Sequence, residues 1–294
     1  MSPRVDDLLA EHRPRASARA RSTARHLAID LLAALHQVSG RTAHLDARAR
    51  VHLLYLHSVP EPELPRFRAL VDRLVTAHAV VSYSHAVHLI ESDADPSTPV
   101  FALSFDDGFR SNVAVSRVLD DLGVQACFFV PTGFVGCSTV SAARAFFGTA
   151  AGVDEPAMSR AELEDLVARG HEVGNHTVRH RVLSTLSSAE ANDEIATARD
   201  MLRSWLGQGE HFAWPRGRFA HFAPGAARAV FELGHRSCAS AERGAHLPSS
   251  TRANPCLRRD HLMTSWPSRH LDWFVSRGAR RMCSGEWPAG WEVS

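Results

Sequence analysis

Short apolar runs alternate with amphipathic stretches along most of this chain. Residues 51–56 have the length and residue types of a buried strand, and 80–83, 100–105 and 125–131 repeat the pattern. Between them, residues 63–78 and 111–122 carry apolar positions at helical spacing. Ser159 with Glu162, and Ser187 with Glu190, are capping-box pairs that open two more helices, ending at Gly170 and near Gly207. Residues 172–175, 211–214 and 235–239 read as further strands, with a helix over 224–233. Four of the helices stop at a glycine, Gly123, Gly170, Gly207 or Gly234, just before the next strand. This rhythm predicts about seven parallel strands in an α/β barrel or open sheet.

The flanks break the rhythm. Residues 1–25 are rich in Arg and Ala, and Leu27, Ala28, Leu31, Leu32 and Leu35 follow at helical spacing. We expect an N-terminal helical extension over 1–50, a barrel over 51–262 and a tail over 263–294. The tail holds Trp266, Trp273, Trp287 and Trp291 among arginines, with an amphipathic helix expected over 270–282. It is expected to pack back on the barrel; a peripheral membrane contact is the alternative. Residues 134–158 form a long connection containing Phe146 and Phe147, read as a substrate lid or an ordinary loop.

Composition narrows the chemistry. The net charge of +1 gives no global field for nucleic acid. All 33 basic residues are arginine, which excludes a Schiff-base lysine and a P-loop. Five scattered cysteines with no C-x-x-C pair read as reduced thiols. Residues 1–25 lack an apolar core of the secretory type, so a cytoplasmic location is expected, and with it a soluble, nucleotide-linked or lipid-linked substrate. No residue pattern speaks to the oligomeric state.

The strand at 100–105 ends in Asp106, Asp107 and Gly108. Two adjacent carboxylates are costly to bury, and a glycine lets the chain turn so that both aim into one pocket. Farther on, His176 and His180 are four residues apart, which on a helical turn places both imidazoles on one side. Two imidazoles and a carboxylate make a three-ligand site with an open position, as in catalytic zinc centres. With eighteen histidines in the chain, a chance pair is the competing explanation.

These residues resemble a known family. Ser104-Phe105-Asp106-Asp107-Gly108 is similar to the Thr-Phe-Asp-Asp-Gly motif of NodB-type polysaccharide deacetylases, and His176-Thr177-Val178-Arg179-His180 to their His-(Ser/Thr)-x-x-His motif. Phe212-Ala213-Trp214-Pro215-Arg216-Gly217 resembles a variant of their third motif. The likeness implies a distorted, incomplete (β/α)7 barrel with the site at the strands' C-terminal ends. It implies a metal-dependent N-deacetylase acting on an N-acetylated sugar, with Asp106 as general base and Asp107, His176 and His180 as ligands. The ion implied is zinc, with cobalt, nickel or manganese also compatible. The Arg216 backbone N–H matches the family's oxyanion donor, with Trp214 and Pro215 beside the substrate.

Two departures stand out. Relatives carry an arginine in the third motif that braces the catalytic aspartate; here that position is Ala213, leaving Arg216, Arg218 or Arg243 as substitutes. The family's general acid lies in a late Leu-x-His motif, and Leu257-Arg258-Arg259-Asp260-His261 offers His261 at a different spacing. The Asp-Trp pair that would tune it occurs only later, at Asp272-Trp273. No Gly-x-Ser-x-Gly elbow supports a serine hydrolase, and Cys127 in an apolar strand reads as core. His57, at the end of the first strand, is read as a supporting or structural residue at the barrel mouth. Another small amide, as in a deformylase or amidase, and an inactive carbohydrate-binding protein remain the alternatives.

Overall fold

The computed structural model describes residues 28–32, 34–35, 48–92, 96–148, 153–249, 254–264, 270–271, 273 and 281–293. Most of the expected extension over 1–50, Trp266 and most of the tail helix lie outside them. Residues 28–32 and 34–35 are helical, and no helix among the described residues is long and apolar enough to cross a membrane.

Seven strand positions, all parallel, make the barrel. They are β1 (Val51–Leu56), β3 (Val100–Asp106), β4 (Ala126–Val130), β5 (Glu172–Asn175), β6 (His211–Ala213), β7 (Ser237–Ala239) and a divided seventh. The seventh is β9 (Cys256–Leu257) followed by β10 (Arg259–His261); its first part pairs with β7 and its second with β1. Interruption at Arg258 lets one segment bridge both edges and close the ring. Three two-residue strands attach at the margins: β2 (Ala79–Val80) on β3, β8 (Ala245–His246) on β1, and β11 (Met282–Cys283) on β8.

Helices α1 (Leu64–Ala77), α2 (Tyr83–Ile90), α3 (Ser111–Asp121), α4 (Val140–Phe147), α5 (Arg160–Ala168), α6 (Ser188–Leu206) and α7 (Pro224–Glu232) complete the layer structure. Both capping boxes form, at the starts of α5 and α6. The glycines expected as helix stops all have positive φ, from 65° at Gly207 to 91° at Gly170. One expectation needs correcting. The strand read over 80–83 ends at Val80, and Tyr83 starts α2, because Ser82 accepts the His85 N–H and caps a helix there.

The period-two alternation of β3 separates two environments. Phe101, Leu103 and Phe105 face outward into the main core with Phe67, Leu70, Leu74, Val115 and Phe128. Ala102 faces the barrel interior with Leu53, Cys127, Phe129 and Tyr83. Ser104 and Asp106 follow on that inner face, so the same alternation that builds the core aims a carboxylate up the barrel axis. Gly174 on β5 leaves room for Phe129, whose ring would lie 2.4 Å from an added Cβ.

Trp287 and Trp291 pack outside the barrel. Trp287 and Trp291 stack with ring centroids 5.8 Å apart, and Trp287 lies 6.1 Å from Trp214. The Trp287 indole N–H donates to the Asn254 carbonyl at 2.8 Å.

Candidate active site

Asp107, His176 and His180 converge at the C-terminal mouth of the barrel, their donor atoms all within 4.8 Å of one another. Asp107 Oδ1 lies 3.5 Å from His176 Nε2 and 3.1 Å from His180 Nε2. That oxygen is buried and makes no hydrogen bond. A buried carboxylate oxygen facing two imidazole nitrogens fits a divalent cation better than it fits any neutral filling. Burial alone would raise the Asp107 pKa; the facing imidazoles outweigh it and hold the carboxyl well below its usual range. His180 is pushed down, first by burial, which keeps it in the neutral form a ligand needs.

Backbone geometry brings these groups together. The five described non-glycine residues with positive φ are Asp107, Thr177, His180, Arg216 and Asn254, and four of them lie at this mouth. Left-handed backbone at such residues costs about 1–3 kcal/mol each and persists only where the surroundings enforce it. The expected helical turn from His176 to His180 is therefore corrected: it is an irregular loop with left-handed residues at Thr177 (φ 68°) and His180 (φ 53°). The loop's N–H groups need partners that a helix would have provided. Buried Glu194 accepts from the Val178 and Arg179 N–H groups at 3.1 and 2.7 Å, and Asn175 Oδ1 accepts from Thr177 at 2.8 Å. Thr177 and Val178 carbonyls accept from Thr132 and Gly133 after β4. His176 Nδ1–H donates to the Ala213 carbonyl at 2.6 Å, which leaves Nε2 with its lone pair toward Asp107.

Asp106 is held differently. Arg259, fully buried, donates to both its oxygens at 2.7 and 2.8 Å. The guanidinium also donates to Ser104 Oγ and the Ser240 carbonyl, and lies 4.8 Å from the Tyr55 ring centroid and 5.1 Å from that of Phe129. Burial would raise the Asp106 pKa; Arg259 outweighs it and keeps the carboxyl below its ordinary value. The brace is thus Arg259, and not Arg216, Arg218 or Arg243. In the sequence, Arg259 stands only as a neighbour of His261 in the stretch Leu257–His261. Its strand position was the missing signal: two residues before His261, on the same face of β10.

The cleft above Asp107 has a volume of about 590 Å³ and is walled by His57, Phe109, Phe147, Glu155, His180 and Arg216. Arg216 has φ 65° and Gly217 φ 63°. A Cβ on Gly217 would lie 2.2 Å from that of Ala241, so the close approach of the two loops requires glycine there. Trp214 and Pro215 do not reach this cleft. The Trp214 indole is buried in the outer cluster, stacked on Phe222 at 4.4 Å, because β6 alternation turns it away from the mouth. From the long connection, Phe147 on α4 packs edge-on against His180 at 5.1 Å, and Glu155 also lines the cleft.

His261 lies in an adjoining cleft that shares His57, Ser58 and Pro60 with the first. Its ring stacks on Tyr55 at 4.8 Å and meets His57 edge-on at 5.3 Å. Burial first, then His57, push its pKa down to about 4. His57 Nε2 is 4.0 Å from Asp107 Oδ2, so this residue stands between the three-ligand group and His261.

Comparison with known proteins agrees with this fold. Residues 93–234 match the polysaccharide deacetylase family model. A chitooligosaccharide deacetylase from Bradyrhizobium sp. (strain ANU 289) is 35% identical over 105 residues, 35% of this chain and 38% of that protein. The chain thus spans well under half the length of that relative. The fold is similar to that of a Streptococcus pyogenes deacetylase, PplD, solved in complex with acetate: TM-score 0.59, 17% identity, covering 76% of this chain and 96% of the other. IcaB from Ammonifex degensii gives a TM-score of 0.60 at 19% identity, covering 79% and 98%. The α/β barrel is similar to the NodB-type deacetylase fold, and residues 93–234 resemble the polysaccharide deacetylase domain.

Proposed function

We propose that this protein is a metal-dependent N-deacetylase that hydrolyses the acetamide of an N-acetylated sugar. The observation that carries the reading is the buried Asp107 oxygen facing two imidazole nitrogens, beside an Asp106 that no such group engages. Asp107, His176 and His180 would hold the ion, with zinc favoured by the two-imidazole, one-carboxylate set. When bound, such an ion supplies Lewis acidity and lowers the pKa of water to ~7.

The protein's own groups account for the rest. Asp106, kept ionised by Arg259, takes a proton from the attacking water at a carboxylate oxygen. The Arg216 N–H, on a loop fixed by Gly217, supports the oxyanion that develops from the acetamide carbonyl. His261 rests as a neutral imidazole at neutral pH and gives up a proton to the leaving amine only after taking one up within the turnover. Phe109 and Phe147 present an apolar wall that suits an acetyl methyl and limits water.

The test is paired. Metal content is measured on the wild type and on His176→Ala, and acetate release is followed from chitooligosaccharides. About one divalent ion per chain in the wild type, little in the variant, and acetate release only from the former are expected. If both proteins stay equally empty after metal loading, the hydrolase reading falls and carbohydrate binding alone replaces it. Release of formate but not acetate, from matched substrates, would select the deformylase alternative.

A further inference from the structure

A second cleft, of about 750 Å³, opens beside the mouth and is lined by Arg218, Arg243, Arg258 and Arg281 with Glu242 and Glu286. Its two carboxylates are already engaged. Glu242 accepts from Arg218 at 3.1 Å, and both Glu286 oxygens accept the Ser284 N–H at 3.1 Å. Among the described residues, Arg243, Arg258 and Arg281 make no ion pair, and Arg258 Nε is buried without a hydrogen-bond partner. In a chain whose net charge is only +1, four arginines against two glutamates in one concavity are a local positive excess.

The cleft is constructed by the fold. Arg258 interrupts the seventh strand between β9 and β10, so its side chain departs from the face on which Arg259 reaches Asp106. The Arg258 stem lies on Gly244, where an added Cβ would stand 2.9 Å from Arg258 Cδ and 3.0 Å from the Arg281 carbonyl oxygen. The guanidinium carbon sits 5.8 Å from the Phe219 ring centroid. The two clefts share no lining residue, and the chain connects them through near neighbours. Arg218 follows two residues after Arg216, and Arg258 directly precedes Arg259. Arg243 is also near enough to His261 to add, after burial and His57, to the depression of that imidazole.

We propose that this arginine cleft binds a phosphate or diphosphate carried by the N-acetylated substrate, while the acetamide lies at Asp107, His176 and His180. The proposal rests on the deacetylase reading. Guanidinium forks match phosphate oxygens in bidentate geometry, and three of them balance a diphosphate better than a single carboxylate. A glycosyl phosphate carries its anion close to the sugar that bears the acetamide, so one molecule spans adjacent clefts.

The test uses the metal-loaded full chain and the variant Arg281→Gln, an exposed position that touches none of Asp106, His261 and the three-ligand group. Inorganic pyrophosphate is titrated calorimetrically into each. Losing charge-assisted bonds should weaken binding roughly tenfold or more in the variant. Deacetylation is then compared on a neutral chitotriose, on uridine diphosphate-linked N-acetylglucosamine and on polyprenyl diphosphate-linked N-acetylglucosamine. We expect KM to rise about tenfold for a phosphate-bearing substrate, with kcat kept and chitotriose unaffected. The carrier that shows the rise distinguishes a nucleotide from a lipid source. Equal pyrophosphate affinity in the two proteins, or an equal KM change on chitotriose, would overturn the assignment. If no N-acetylated sugar is turned over while arginine-dependent pyrophosphate binding persists, the deacetylase reading fails and the anion site stands.

Discussion

The mouth of this barrel is built by two regions that work in different ways. Residues 93–234 contribute Asp106, Asp107, His176 and His180 as contiguous motifs, each on a strand end or the loop after it. The closing segment, β9 and β10 with the loops around them, contributes Arg259, His261 and the basic cleft, none in a pattern that announces itself. One region presents the carboxylates and imidazoles; the other supplies the arginine that pairs with one of those carboxylates. The difference teaches where family motifs stop being informative. A ligand set needs fixed local spacing, whereas an arginine that steadies a carboxylate needs only to arrive from some neighbouring strand. Here it arrives from the strand that closes the ring between β7 and β1.

Asp106→Asn should keep the metal and lose on the order of 10²–10⁴ in kcat. Retained turnover would move the base elsewhere. Arg259→Met comes next, because it leaves Asp106 buried and unpaired and should destabilise the fold by about 3–5 kcal/mol at neutral pH. The sign of its pH dependence is fixed. Arg259 lowers the folded pKa of Asp106, so its stabilisation is complete above the unfolded carboxylate value of ~3.9 and is lost as pH falls through the depressed one. Denaturation of both proteins should therefore converge in acid, and the acidic limb of the variant's rate profile should move to higher pH. A constant gap at every pH would show that Arg259 contributes packing alone.

His261→Ala sharpens the same contrast, since it asks whether the closing segment also supplies a proton. A fall in kcat of about 10² is expected, with metal binding unchanged. Should His57→Ala produce that fall instead, the acid belongs to the end of β1. Ser159→Ala is the smallest effect and the control. It removes a capping box whose residues line neither cleft, costing about 1 kcal/mol in urea denaturation with kcat preserved.

Local chemistry made much of this legible beforehand. Glycine stops and capping boxes depend on residues within one turn of each other, so α3, α5 and α6 and their boundaries could be read directly. Ser82 as a helix cap was equally local but was masked by the apolar run at 80–83, whose β-branched residues favour a strand. Trp214 and Pro215 belonged to a recognised motif, yet only the direction of β6 decides that the indole joins Trp287 and Phe222 outside the barrel.

Strand alternation along 100–106, the carboxylate pair at its end and the histidines four apart were determined by the sequence alone, because each is a relation between near neighbours. Which carboxylate is braced, by which arginine, and which arginines gather in one concavity were decided by the tertiary structure. Arg259 and Asp106 are separated by 153 residues, and a contact between buried charges at that distance leaves no periodic trace along the chain. It exists because closing the barrel sets β10 beside β1, on the far side of the strand that neighbours β3.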